Sequence, residues 1–122
     1  MSRVALVIGG ASGIGWATSV ALAEHGLRIA VADLVPREAA LQALSGQGHR
    51  AYALDVADET AIVSLFDRIE SELGPVGVLV NCAGIIGYVD GRRPALWETS
   101  VDLWTQVFAV NALGAFLCVR EM

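Results

Sequence analysis

Ile8-Gly9-Gly10-Ala11-Ser12-Gly13-Ile14-Gly15 is the stretch whose reading decides the fold. It joins the apolar run Val4-Ala5-Leu6-Val7-Ile8 to a pattern in which Ile14, Ala17 and Ala21 recur at helical spacing, with Gly26 placed to end the helix. A strand, a glycine-rich turn and a helix in that order form a phosphate cradle. Gly9 permits a tight turn, Gly13 lets backbone approach a pyrophosphate, and Gly15 lets the helix lie close to the strand. The helix start then offers free N–H groups and the positive end of its dipole.

Working outward, three further apolar runs follow: Ile29-Ala30-Val31-Ala32, Ala51-Tyr52-Ala53-Leu54 and Val76-Gly77-Val78-Leu79-Val80. Apolar residues on successive positions suit strands buried on both faces, as in a parallel sheet. A short helix is expected after Pro36, with Ala40, Leu41 and Leu44 inward and Gly46 and Gly48 closing it. Asp58 is placed to cap a third helix with the stripe Ile62, Leu65, Phe66, Ile69 and Leu73, stopped by Gly74-Pro75. A fourth begins between Trp97 and Ser100 and runs to the last residue. On it Trp104, Phe108, Asn111, Ala115 and Cys118 step by four and three and are expected to share one face. The alternation predicts an α/β fold, a Rossmann-type doubly wound parallel sheet with strand order 3-2-1-4 and helices on both faces. Its long loop, Gly84 to Pro94, should border the ligand crevice at the carboxyl edge.

Composition narrows the function. The 122 residues suit one domain, 55% of them are hydrophobic and 17% charged, and the net charge is −5. The longest basic run is Arg92-Arg93, so no patch tracks a nucleic acid. All eight basic residues are arginine; there is no lysine. Cys82 and Cys118 lie in no metal-ligand spacing and suit reduced thiols. His25 and His49, beside glycines, read as surface residues. With no run read as a membrane span and no room for a leader before the first strand, the expected location is the cytoplasm.

Asp33 ends the second strand eighteen positions after Gly15, where an acid accepts hydrogen bonds from an adenosine ribose. Such an acid repels a 2′-phosphate, and neither Leu34 nor Trp16 supplies a compensating cation, so NAD(H) is expected over NADP(H). Arg37 is the one cation able to swing toward that phosphate.

The spacing Gly9-x-x-x-Gly13-x-Gly15 resembles the short-chain dehydrogenase/reductase family. Asp55-Val56 looks like its adenine-contacting pair, Asn81-Cys82-Ala83-Gly84 like its Asn-Asn-Ala-Gly motif, and Trp104 with Val110-Asn111-Ala112-Leu113-Gly114 like its fourth-helix pattern. The resemblance covers the whole chain and implies a cofactor site made of Gly9, Ser12, Gly13, Ile14, Gly15, Asp33, Leu34, Asp55, Val56, Asn81, Ala83 and Gly84. Asn111 would belong to the catalytic set, holding a water beside a lysine. Each residue also has a plainer reading: the glycines as structural turn residues, Asp33 as a strand-end turn residue or helix cap, Asp55 as a turn cap, Asn81 as a turn former, Asn111 as a core amide with its partners satisfied. Ile8 stands where the family has threonine, removing a hydroxyl that ties the turn to the neighbouring motif. Cys82 replaces an asparagine that braces the sheet.

The resemblance also implies a serine and a Tyr-x-x-x-Lys that these residues lack. Tyr52 is followed four positions on by Val56, and Tyr88 by Arg92. The expectation is therefore the NAD-binding Rossmann domain over residues 1–122, ending after the fourth helix, of an enzyme interconverting an alcohol and a ketone. A homo-oligomer through the apolar fourth helix is expected, with no metal, nucleic acid or membrane as partner. A non-catalytic nucleotide-binding module and a dimerisation module are the alternatives.

Overall fold

The computed structural model describes residues 3–122, and within them four strands pair in one sheet. They are β1 (Val4–Ile8), β2 (Arg28–Asp33), β3 (Arg50–Ala53) and β4 (Val76–Asn81), all parallel and in the order β3-β2-β1-β4. The predicted order is the observed one. Registers such as Leu6 opposite Ala30 and Leu79 put the apolar run of β1 at the centre. All five residues of β1 are buried, whereas β3 buries only Tyr52 fully and β4 is half-buried. Burial on both faces therefore holds for the inner strands and not for the two at the edges.

Alternate strand residues feed two cores. On one face Leu6, Ile8, Ala30 and Tyr52 pack with α2 (Glu59–Glu72) and the far end of α3 (Val101–Glu121). On the other, Ala5, Val7, Ile29 and Val31 pack with α1 (Gly13–Glu24), whose Trp16 lies along that core. The Asp58 carboxylate accepts the Ala61 N–H at 3.1 Å and starts α2, whose Ile62, Leu65 and Ile69 face inward as expected. Cys118 is core, and burial pushes its thiol pKa up.

Three expectations are corrected. The helix after Pro36 is a six-residue 3-10 segment, Glu38–Ala43. Leu41 and the capping residue Leu44, three apart, pack inward, in keeping with a period of three. On α3 the predicted common face is broken by a π turn, Ala109–Leu113. Before that turn Leu103 and Val107 are half-buried and the stacked pair Trp104 and Phe108 is exposed; after it Gly114, Leu117 and Cys118 are buried. α3 is long and apolar enough, by length and composition, to cross a bilayer, yet Leu117 and Cys118 are buried in the core and Arg120 pairs with Glu59 of α2 at 2.8 Å.

The third correction is His49. Its Nδ1 accepts the Ile29 N–H at 3.0 Å and its Nε2–H donates to the Ser45 carbonyl at 2.9 Å, which assigns the neutral ring with the proton on Nε2. The β2–β3 ladder begins only at Ala30 and Arg50, so the imidazole extends it by one bond. His49→Ala should cost about 1–3 kcal/mol through the orphaned N–H. Native-state amide exchange at Ile29 should rise with it; unchanged protection would refute the role.

Tyr52 is anchored on the α2 face. Its hydroxyl donates to Glu72 at 2.9 Å, and Glu72 also takes the Arg68 Nε–H at 2.9 Å. Burial, then the Glu72 hydrogen bond and charge, push the tyrosine pKa up from 10.0 to about 12. The fold thus favours the protonated phenol. That stabilisation is fully present below pH 10 and is lost as pH rises through about 12. Urea unfolding below pH 10 and near pH 12 should show an alkaline loss that Tyr52→Phe removes. An equal loss in the variant would overturn this assignment.

Candidate active site

The carboxyl edge of the sheet opens into a groove of about 370 Å³. Its floor is the glycine turn. Gly9 has φ +70° and donates to the Ala32 carbonyl at 2.7 Å, and a Cβ there would lie 2.8 Å from the Ala83 nitrogen. At Gly15 a Cβ would lie 2.0 Å from the Gly9 oxygen, so only glycine lets α1 seat on the turn. The first helical bond of α1 runs from Trp16 N–H to the Ser12 carbonyl at 3.1 Å. The N–H groups of Gly13, Ile14 and Gly15 are left without helical partners, and all three residues line the groove. Ser12 caps by conformation alone, since its hydroxyl makes no capping bond. Ile14 is an apolar residue 80% exposed on the groove.

Asp33 is held to this turn. Its Oδ2 accepts the Ala11 N–H at 3.1 Å and its Oδ1 accepts the Leu34 N–H at 2.8 Å. Each oxygen keeps a lone pair for a further donor, and the carboxylate has no cation partner among the described residues. Leu34 lies exposed beside it. On the next loop Asp55 Oδ1 accepts the Ala57 N–H at 2.9 Å, which is the turn-capping geometry, with the carboxylate still on the groove. Val56 is buried against α3: a Cβ on Gly114 would meet its Cβ at 2.9 Å.

After β4, Asn81 turns back on its own chain, Oδ1 accepting the Ala83 N–H at 3.2 Å, and does not line the groove. Ala83 and Gly84 do. Asn111 lies within the π turn, off the groove, and its amide clasps Ile85 at both ends. Nδ2–H donates to the Ile85 carbonyl and Oδ1 accepts the Ile85 N–H, both at 2.8 Å. The side chain thus positions the groove wall. Among the candidate residues, Gly9, Ser12, Gly13, Ile14, Gly15, Asp33, Leu34, Asp55, Val56, Ala83 and Gly84 come together, while Asn81 and Asn111 stand behind them.

The lining that sequence reasoning missed is apolar or sulfur-bearing: Ile8, Ala32, Leu54, Cys82, Ile85 and Val110. All six belong to or adjoin the motif stretches quoted above, a signal that could have found them. The hydroxyl missing at Ile8 is covered by backbone bonds: Cys82 N–H to the Ile8 carbonyl at 2.8 Å, alongside the Gly9 bond to Ala32.

Comparison with known proteins fits this geometry. Residues 3–122 match the family model for short chain dehydrogenase. A short-chain type dehydrogenase/reductase of Picea abies is 36% identical over 98% of this chain and 47% of its own length. An NADPH-dependent aldehyde reductase-like protein, chloroplastic, of Arabidopsis thaliana is 37% identical over 98% of this chain and 48% of its own. Among solved structures, one described as ribose-5-phosphate isomerase from Brucella melitensis matches with a TM-score of 0.83 and 29% identity over 98% of this chain and 45% of that one. The chain spans about half the length of the curated relatives it matches. A matching family model over residues 3–122, on a 3-2-1-4 parallel sheet whose glycine turn opens the groove, places the chain in the short-chain dehydrogenase/reductase family.

Proposed function

We propose that the chain is the NAD(H)-binding part of an oxidoreductase interconverting an alcohol and a ketone. The observation that carries the reading is the carboxylate of Asp33 fixed to the glycine turn through Ala11. The residues fit a dinucleotide. The α1 N–H groups and the open backbone at Gly13 suit a pyrophosphate. Asp33 offers free lone pairs to the adenosine ribose hydroxyls, and Asp55 and Val56 border the adenine end. Ala83 and Gly84, with Ile85 clasped by Asn111, form the wall toward the nicotinamide end. When bound, the nicotinamide supplies or accepts the hydride.

Neither tyrosine of this chain is placed to supply the proton. Reducing a ketone requires a donor for the developing alkoxide with a pKa near the working pH. Tyr52 is buried, its hydroxyl donates a hydrogen bond to Glu72, and its pKa is pushed up to about 12. Tyr88 is 60% exposed and does not line the groove. The reading therefore assigns the acid to residues outside these 122. The exposed Phe108, Leu113, Phe116 and Val119 on α3 support self-association of the protein through that helix.

NAD(H) is preferred because a 2′-phosphate would meet a carboxylate held in place by two backbone N–H groups. The Arabidopsis relative, named NADPH-dependent, marks the competing outcome. Titration of both cofactors should show tighter NADH binding, and Asp33→Ala should narrow the gap by about tenfold, or 1.4 kcal/mol. Tighter NADPH binding by the unmodified chain would sink the assignment. Incubated with NADH and a panel of ketones, the 122-residue chain should show no turnover. Turnover that disappears in Tyr88→Phe would make Tyr88 the acid and reverse the reading.

A further inference from the structure

Asp90-Gly91 is the one step in the sequence where an aspartate or asparagine precedes glycine. It is the tip of a two-residue hairpin. The Val89 N–H donates to the Arg92 carbonyl at 2.8 Å, and the Arg92 N–H donates back to the Val89 carbonyl at 3.1 Å. A tip of this kind needs positive φ at both residues. Gly91 takes +76° freely, but Asp90, at +49°, is the only residue other than glycine in the left-handed region among the described residues. Both residues are exposed. The Gly91 N–H makes no backbone bond, and the Asp90 carboxylate joins no ion pair, among the described residues. A Cβ on Gly91 would meet nothing within 4 Å. Beside the tip, Arg92 reaches Glu98 with both terminal nitrogens, at 3.0 and 3.2 Å, and Glu98 also accepts the Ala95 N–H at 2.8 Å.

We propose that Asp90 is a modification site, at which the chain isomerises spontaneously to isoaspartate. The Gly91 nitrogen attacks the Asp90 Cγ and an N–C bond forms. The carboxyl hydroxyl leaves with the amide proton as water, closing a five-membered succinimide. Water then adds back to one of the two ring carbonyls. Breaking the new Cγ–N bond restores aspartate, whereas breaking the original C–N bond leaves the backbone running through Cβ and Cγ. The attacking nitrogen is unpaired and unshielded, and the hairpin is held by one pair of exposed backbone bonds, so local opening can bring Cγ onto it. The other five aspartates precede Leu34, Val56, Glu59, Arg68 and Leu103, whose side chains shield the nitrogen. Asp33, Asp55 and Asp58 also have their carboxylates engaged by backbone N–H groups. Isoaspartate adds one methylene to the backbone of a two-residue turn, which breaks the Val89–Arg92 pairing and draws Arg92 off Glu98. The proposal does not require the nucleotide reading of the groove.

The test ages the folded chain for several weeks at physiological temperature and neutral pH, then digests it with trypsin. Cleavage after arginine releases the peptide Ile69–Arg92, in which Asp90 is the only aspartate. A second form of that peptide should accumulate, with unchanged mass, a shifted chromatographic retention and methyl uptake from an isoaspartate-specific methyltransferase. Deamidation at Asn81 is told apart by its change in mass. Asp90→Gly, which suits the left-handed tip and has no Cγ, should abolish the second form. Asp90→Asn should produce isoaspartate at this position faster, since ammonia leaves in place of water. In the aged fraction, amide exchange at Val89 and Arg92 should rise with the isoaspartate content. Absence of the second peptide, a second form that persists in Asp90→Gly, or isoaspartate accumulating equally at the other aspartates would each overturn the proposal.

Discussion

The contact between Gly15 and the Gly9 carbonyl is the constraint on which the carboxyl edge depends. With a Cβ position only 2.0 Å from that oxygen, any side chain at residue 15 would lift α1 off the turn. Seated as it is, the helix presents its unpaired N–H groups at the end of β1, beside Asp33 from the neighbouring strand. The glycine turn and the Asp33 carboxylate are thus one rigid unit. They are joined by the Ala11 N–H bond and not merely brought near each other. Backbone bonds from Gly9 and Cys82 do the work that a hydroxyl at residue 8 would share, so Ile8 is free to be core.

The second fixed point is the amide of Asn111 on Ile85. Two bonds of 2.8 Å to the N–H and carbonyl of one residue mimic a step of sheet ladder between a helix side chain and a loop backbone. The π turn around Asn111 supplies the rotation, and the same rotation sends Gly114 against Val56 and Leu117 into the core. One irregular turn therefore holds the groove wall and sits where α3 docks on the core. The loop between Ile85 and α3 is bounded by Asn111 at one end and by the Arg92–Glu98 clasp at the other. That explains how a stretch with little regular structure borders the groove.

Away from the groove, side chains finish what the ladder leaves open. His49 supplies the bond β3 begins too late to give, and Tyr52, Glu72 and Arg68 tie the edge strand to α2. β4 has a partner on one side only, and the outer face of α3 keeps Phe116 and Val119 exposed.

By itself the sequence determined the strands, their parallel order, three of the four helical segments and eleven of the thirteen candidate site residues that line the groove. The reason is local. A strand, a glycine turn and a helix start are adjacent in the chain, and their chemistry follows from residue type and spacing. Tertiary structure alone decided the rest. Asn81 and Asp55 spend an oxygen on their own turns, Asn111 holds backbone 26 positions away, and His49 serves β2. Those choices depend on which buried N–H or carbonyl lacks a partner once the strands pair, which is a property of register and not of spacing. The face of α3 was illegible for the same reason, since one added residue in a helical turn rotates all that follows, and no residue type announces it.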